Sequence, residues 1–441
     1  MSKDMREGEK LVKSSDIRGN PGRGLMAGTI AFFAGFSAVA LFGVTVHNIA
    51  PLLHLTIVEI GWLVAIPLLT GALLRIPFGA LVDAVGGRRT IMIQLLLALI
   101  GMAGLILTLH LIYSSYNSLT ASVGYALLML FGAVAGIGIS TFASGIAYVS
   151  YWFPQRRQGY ALGFFAGVGN AAPGIFTAIL PFALASIGLI GSYIAWAIFL
   201  AIMILVFYLI GYDAYYFQLV RMGLSRSEAI EKAKALGEEL VPSGSTSRSL
   251  AIAARVWRTW PLTVMYLTSF GGFEALTEWL PTYWTKYLSI SLVQAGILTG
   301  IVYSLLTALM RVPGGWWSDR WSGEKVAIVS YLILTLGSVL FMTSHSLIAG
   351  IISEVVMAIG MGIANAAVFK MVPKYVPEAV GGATGWVGGL GSAGGLLIPP
   401  IMAYIAAVMG KPGYAYGFIV FVILGVLSII LGLILWSTSR R

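Results

Sequence analysis

The sequence predicts an all-α membrane protein, with twelve transmembrane helices arranged as two pseudo-symmetric six-helix halves. Three observations predict it. Of the 441 residues, 58% are hydrophobic and 10% charged, where a soluble domain carries about 25% charged residues. Apolar stretches of spanning length, about 20 residues, recur along the whole chain. The basic residues collect in alternate connections between those stretches.

The candidate spans run roughly 26–50, 57–83, 90–113, 121–150, 158–183, 190–212, 260–285, 292–318, 325–344, 347–372, 380–408 and 413–437. We number them helices 1 to 12. No alternating strand pattern competes, and in hydrocarbon only helices and closed barrels satisfy the backbone. Residues 1–24 are polar and mixed in charge, as in Arg6-Glu7-Gly8-Glu9-Lys10. They lack the apolar core of a secretory signal and read as a cytoplasmic tail. Residues 25–212 then form the N-terminal half, 213–258 a cytoplasmic linker, 259–437 the C-terminal half and 438–441 a second tail. Within the linker, Ser225 to Leu240 reads as a short surface helix, with Ser225 as N-cap and Glu228 three residues on.

Of 27 Lys and Arg, 23 fall in the tails, the linker and the loops on one side. By the positive-inside rule that side is cytoplasmic, so both termini are cytoplasmic in a multi-pass protein of the cell membrane. The net charge of +10 therefore reads as topology, spread over seven segments, and not as a nucleic-acid surface. Cysteine is absent, which excludes disulfides, thiolate metal sites and thiol nucleophiles. The four His residues show no metal-ligand spacing. No nucleophile–base set, Walker loop or dinucleotide fingerprint appears, so neither an enzyme nor an ATP-driven pump is expected, and no cofactor.

The halves echo each other. Arg75-Ile-Pro77-Phe-Gly79-Ala-Leu-Val-Asp83 matches Arg311-Val-Pro313-Gly-Gly315-Trp-Trp-Ser-Asp319 at an offset of 236. Gly163-x-x-x-Gly167-x-Gly169 matches Gly385-x-x-x-Gly389-x-Gly391 at an offset of 222. Six-plus-six repeats of this kind place a substrate site near the midplane between halves.

Arg75 and Arg311 are the most informative residues. A charged residue at a helix centre costs about 2.5–3.5 kcal/mol on insertion scales, and neither arginine has a carboxylate one turn away on its own helix. A guanidinium fork suits a small planar anion. A structural reading competes: each arginine lies eight residues before its loop Asp, about 12 Å along a helix, within reach of snorkelling. Duplication in register favours the functional reading. The glycines permit close helix packing, with admission of substrate between tightly packed helices as a secondary role.

Over nearly its whole length the chain resembles the major facilitator superfamily. Gly79…Asp83…Gly87-Arg88-Arg89 is similar to that superfamily's motif between helices 2 and 3. Ala84 departs from it, where a basic residue is common, and Arg320 retains the basic residue in the second half. Gly163 to Gly174 (Gly-Phe-Phe-Ala-Gly-Val-Gly-Asn-Ala-Ala-Pro-Gly) and Trp386 to Pro399 (Trp-Val-Gly-Gly-Leu-Gly-Ser-Ala-Gly-Gly-Leu-Leu-Ile-Pro) resemble the two Gly-rich signatures of the nitrate/nitrite porter (NarK-type) family. That resemblance implies a secondary active transporter of nitrate and nitrite, working by alternating access as a monomer in lipid. Arg75 and Arg311 match the paired arginines that grip the anion. Phe142 matches an aromatic wall, Phe270 a second wall, Tyr266 a donor and Asn170 the polar residue of the first signature. Ser392 stands where the repeat places the counterpart of Asn170. Asp83, Arg88, Asp319 and Arg320 are expected at the gate and in loop packing.

Two couplings stay open, nitrate/nitrite exchange and nitrate/proton symport. Glu274 lies four positions after Phe270 and eight after Tyr266, on roughly the same helix face. It is a candidate for proton coupling by pairing with an arginine, against a plain ion pair with Lys286 near the outer mouth. Glu278 and Glu354 are further intramembrane carboxylates. The alternatives in function are a carrier of another small anion (formate, oxalate or an organic phosphate) and a non-transporting nitrate receptor.

Overall fold

The computed structural model describes residues 17–42, 45–55, 57–113, 120–240, 242 and 245–439. The tail segments 1–16 and 440–441 and the side chain of Glu278 lie outside the described residues. Ten helices among the described residues are long and apolar enough to cross a membrane. They are helix 1 (Pro21–Ala40), helix 2 (Ile66–Val85, within Ile57–Val85), helix 3 (Gly87–Tyr113), helix 4 (Ala121–Trp152), helix 6 (Phe182–Ile210), helix 8 (Gln294–Trp321), helix 9 (Gly323–Thr343), helix 10 (Leu347–Tyr375), helix 11 (Val380–Met409) and helix 12 (Gly413–Ser439).

The remaining two expected spans are helical but interrupted. Helix 5 starts as Gln155–Gly169, breaks at Asn170 and resumes from Ala171. Gly188, at φ 69°, kinks the chain within Phe182–Ile210 and separates the end of helix 5 from the main length of helix 6, a positive-φ backbone that glycine adopts without strain. Helix 7 is built from Thr259–Tyr266, a π-helical turn Leu267–Gly271, Gly272–Thr282 and a second π turn Tyr283–Tyr287. Helix 8 carries a third π stretch, Leu298–Leu305. Such π turns occur mostly as local insertions at functional places.

Glycine stripes join the halves. A Cβ at Gly163 of helix 5 would stand 2.5 Å from the Arg311 carbonyl oxygen, and one at Gly167 2.9 Å from that of Ala308. On the opposite flank, a Cβ at Gly385 of helix 11 would meet the Ile76 carbonyl oxygen at 2.7 Å, and one at Gly389 the Ala72 oxygen at 3.1 Å. Helix 5 therefore touches helix 8 backbone to backbone, and helix 11 touches helix 2 the same way. Gly169 and Gly391 point elsewhere, against Phe32 and Tyr266 of their own halves. The four-residue spacing keeps one glycine per turn at each seam, so both arginines stand on helices clamped to the other half.

The linker folds into three short helices, Tyr215–Arg221, Arg226–Ala235 and Thr246–Arg255. The second carries the expected capping box between Ser225 and Glu228. The Glu238 carboxylate accepts from the amides of Tyr215 and Tyr216 at the start of the first, and Glu239 accepts from Gln155 at 2.8 Å.

Candidate functional site

Arg75 of helix 2 and Arg311 of helix 8 meet at the centre, 0% and 1% exposed. Phe142, Tyr266 and Phe270 lie between them as near-parallel rings. Phe142 and Phe270 have centroids 5.4 Å apart at 9°, and Tyr266 lies 4.8 Å from Phe270 at 7°. The Arg75 guanidinium carbon is 5.3 Å from the Phe142 centroid and 5.1 Å from that of Phe270. The Arg311 carbon is 5.9 and 4.9 Å from the same two rings. Phe142 comes from the N-terminal half and Phe270 from the C-terminal half, so one aromatic pair spans the seam.

The two cations are compensated unequally. Arg75 donates from Nη1 to the Gly388 carbonyl at 3.2 Å, and its Nη2 lies 3.5 Å from Oε1 of Glu274, itself 8% exposed. No nitrogen of the Arg311 guanidinium has a hydrogen-bond partner among the described residues. The Tyr266 hydroxyl faces it as a weak partner, short of full hydrogen-bond geometry. Two cation–π contacts supply about 0.5–2 kcal/mol each, against a desolvation cost of several kcal/mol per buried ion. Arg311 is thus under-compensated by the protein alone. With Glu274 ionised, the cluster carries one net positive charge, the complement of one monovalent anion.

An anion layered between Phe142 and Phe270 needs two gaps of about 3.5 Å, roughly 7 Å between rings. The observed 5.4 Å is too close, so a planar guest requires these rings to part.

Asn170 and Ser392 are buried beside this cluster's helices, but they spend their donors locally. Asn170 donates to Ala166 O at 2.6 Å and Ser392 to Gly389 O at 3.0 Å. Asn170 interrupts helix 5, and Ser392 is the last residue before helix 11 breaks at Ala393. Sequence reasoning missed Phe369, whose ring meets Phe142 at 5.0 Å and Tyr266 at 4.5 Å, both edge-on at 86°.

The side carrying the basic loops is closed by two aspartates that cross the seam. Asp83 Oδ1 accepts from the Gly381 amide at 3.2 Å and from Tyr151 at 2.6 Å. Asp319 accepts from the amides of Gly159 at 3.0 Å and Tyr160 at 2.7 Å, with Lys370 Nζ at 2.7 Å. Asp83 thus faces the amide-rich start of helix 11, where the helix dipole favours negative charge, and Asp319 faces the second turn of helix 5. Ser249, from the linker, donates to Asp83 and accepts from the Gly382 amide at 2.8 Å. Arg88 and Arg320 do not cross. Arg88 caps the Tyr208 carbonyl at 2.8 Å and stacks on Tyr208 and Tyr212, and Arg320 lies 5.6 Å over Trp316.

Comparison with known proteins agrees with this architecture. Residues 27–302 and 262–441 match the family model described as Major Facilitator Superfamily. The chain is 30% identical over 427 aligned residues to the "Probable nitrate/nitrite antiporter NarK1" of Thermus thermophilus, covering 91% of this chain and 88% of that one. It is 25% identical to the "Probable nitrate transporter NarT" of Staphylococcus epidermidis, covering 91% and 93%, and 26% identical to the "Nitrite extrusion protein" of Bacillus subtilis, covering 88% of each. Among solved structures, the proton:xylose symporter XylE superposes with a TM-score of 0.72 at 14% identity over 95% of each chain. The transporter FucP in its outward conformation gives 0.70 at 16% identity over 92% and 97%; both likenesses concern the fold. The chain belongs to the Major Facilitator Superfamily, in its nitrate/nitrite porter (NarK-type) branch.

Proposed function

We propose that this protein carries nitrate and nitrite across the cell membrane by alternating access at the Arg75–Arg311 seam. The observation that carries the proposal is Arg311, a buried guanidinium none of whose three nitrogens completes a hydrogen bond among the described residues. A small planar monoanion supplies paired acceptors for that fork, and the apolar rings suit a weakly hydrated guest. The names of the relatives point to the same two anions.

In this reading Arg75 and Arg311 grip the anion, Phe142 and Phe270 form its walls and Tyr266 donates a hydrogen bond. Asn170 and Ser392 shape the helix breaks beside it. The bound anion bridges two like charges on opposite halves and lets them rock together. The glycine seams are the contacts that slide. The closed side, with its basic loops, linker and both termini, faces the cytoplasm. One chain holds both halves of the site, so a monomer suffices.

Two couplings compete on specific observations. The name of the Thermus relative favours nitrate/nitrite exchange. The Arg75–Glu274 pair favours nitrate/proton symport: protonating Glu274 frees Arg75 for the anion, so proton and nitrate bind together. Uptake of labelled nitrate into proteoliposomes decides the matter, with nitrite, formate and phosphate as competitors. It is run with and without internal nitrite, and with and without a proton gradient. Competition by formate or phosphate that equals competition by nitrite sinks the nitrate/nitrite assignment.

A further inference from the structure

The proposed site leaves a second intramembrane carboxylate unused. Glu354 lies in helix 10, seven residues after its Leu347 start, and is fully buried. Its Oε1 accepts one hydrogen bond, from Trp284 Nε1 of helix 7 at 3.3 Å, and its Oε2 has no partner. No Lys, Arg or His pairs with it among the described residues. The ionisable groups facing it are two phenols, Tyr283 of helix 7 and Tyr303 of helix 8. Helix 9 offers none over residues 332–343. At the rim, Tyr287 and His345 bond each other at 3.0 Å. From helix 12, Phe418 closes over Tyr283, with ring centroids 5.5 Å apart.

An ionised carboxylate in this cage has no charge partner and one long hydrogen bond from a neutral donor. Such a bond offsets only part of the cost of taking the ion out of water. A neutral carboxylic acid meets the same surroundings at far lower cost. The two elements facing Glu354 are both π-helical there, Tyr283–Tyr287 and Leu298–Leu305, a conformation frequent at functional sites. Trp284 also wedges against helix 10: a Cβ at Gly350 would stand 2.8 Å from its ring.

We propose that Glu354 is a second proton-binding site of this carrier, at the outer end of the C-terminal half and separate from the Arg75–Glu274 pair. One proton from external water adds to a carboxylate oxygen when the π turns rewind and Trp284 withdraws. It is held while helices 7 and 8 pack against helix 10, and no other bond changes. Deprotonation leaves an unpaired charge among aromatic rings and disfavours that packing, so the outer closure senses external pH. The outward placement rests on the topology proposed above; the protonation of Glu354 does not depend on which anion is carried.

Infrared difference spectroscopy of the reconstituted protein tests the site directly. The wild type should show C=O stretches of protonated carboxyls at neutral pH, that of Glu238 among them. Glu354→Gln should remove one component, Glu274→Gln and Glu238→Gln should each retain that component, and Glu354→Asp should shift it. No such band, or a band pattern that Glu354→Gln leaves unchanged, overturns the proposal. In transport, raising external pH at fixed internal pH should slow exchange by the wild type, and Glu354→Gln should lose that dependence. An unchanged pH profile in Glu354→Gln also overturns it. Absence of nitrate uptake by the wild type would defeat the nitrate reading alone, because the infrared band still reports Glu354.

Discussion

Arg75 and Glu274 stand on opposite halves of the molecule with Nη2 3.5 Å from Oε1, both buried. Removing one member of such a pair leaves an uncompensated charge and costs about 3–5 kcal/mol. Glu274→Gln keeps the shape and removes the anion, so Arg75 joins Arg311 in seeking a guest. The expected outcome is tighter binding of the transported anion and loss of accumulation driven by a pH gradient. Gradient-driven uptake that persists in Glu274→Gln removes this residue from proton coupling.

Arg311→Lys tests the fork itself. Lysine keeps the charge but presents a compact ammonium in place of paired planar donors. Loss of one charge-assisted hydrogen bond is worth about 1.5–3 kcal/mol, so nitrate transport should fall roughly 10–100-fold. Arg75→Lys should weaken transport as well and also loosen the contacts to Gly388 and Glu274. The two variants are compared by initial rates at several nitrate concentrations. Near-wild-type rates in Arg311→Lys contradict bidentate gripping.

Both arginines were legible in the sequence because a charge is conspicuous in an apolar span and this one recurs at a fixed offset. Glu274 was legible from its helical spacing to Tyr266 and Phe270, and the structure pairs it with Arg75, not with Lys286. Phe369 was not legible: it is one of 21 phenylalanines, and its edge-on approach depends on how helix 10 crosses helices 4 and 7. Ser249 was invisible for another reason. A serine in a polar linker carries no pattern, and its role arises only where three segments converge on Asp83. Helix 7 shows the limit for spans: its apolar stretch was readable, but its π turns come from tertiary packing and not from local propensity.

The linker should respond to pH through Glu238. Burial pushes this carboxyl up from 4.5 to about 8, against the lowering effect of the Tyr215 and Tyr216 amides. A raised folded value means the folded linker holds the proton more tightly than the unfolded one. Its stabilising effect is therefore full below the ordinary value of 4.5 and is lost as pH rises through about 8. The chain has no cysteine, so a single spin label at Glu231→Cys, an exposed position, reports linker mobility cleanly. Mobility should rise between about pH 5 and pH 9, and Glu238→Gln should flatten the change. A pH response that Glu238→Gln leaves intact assigns it to another group.

Closure of the side carrying the basic loops should weaken in a graded way. Asp319 carries an ion pair to Lys370 and two amide bonds to helix 5, so Asp319→Asn removes the charge that all three contacts use. Ser249→Ala removes one hydroxyl that joins Asp83 to the Gly382 amide. A charge-assisted bond contributes about 1.5–3 kcal/mol and a neutral one about 0.5–1.5; Asp319→Asn weakens three charge-assisted contacts, whereas Ser249→Ala loses one charge-assisted bond to Asp83 and one neutral bond from Gly382, so the aspartate variant should open further. Thr384 reaches across the seam to the Ala143 carbonyl at 3.4 Å and is fully buried, so Thr384→Cys is shielded while the gate is shut. Its alkylation from the side carrying the basic loops should speed up several-fold with Ser249→Ala and more with Asp319→Asn. Equal rates in all three backgrounds would mean that these bonds do not hold the gate, leaving the glycine seams to do so alone.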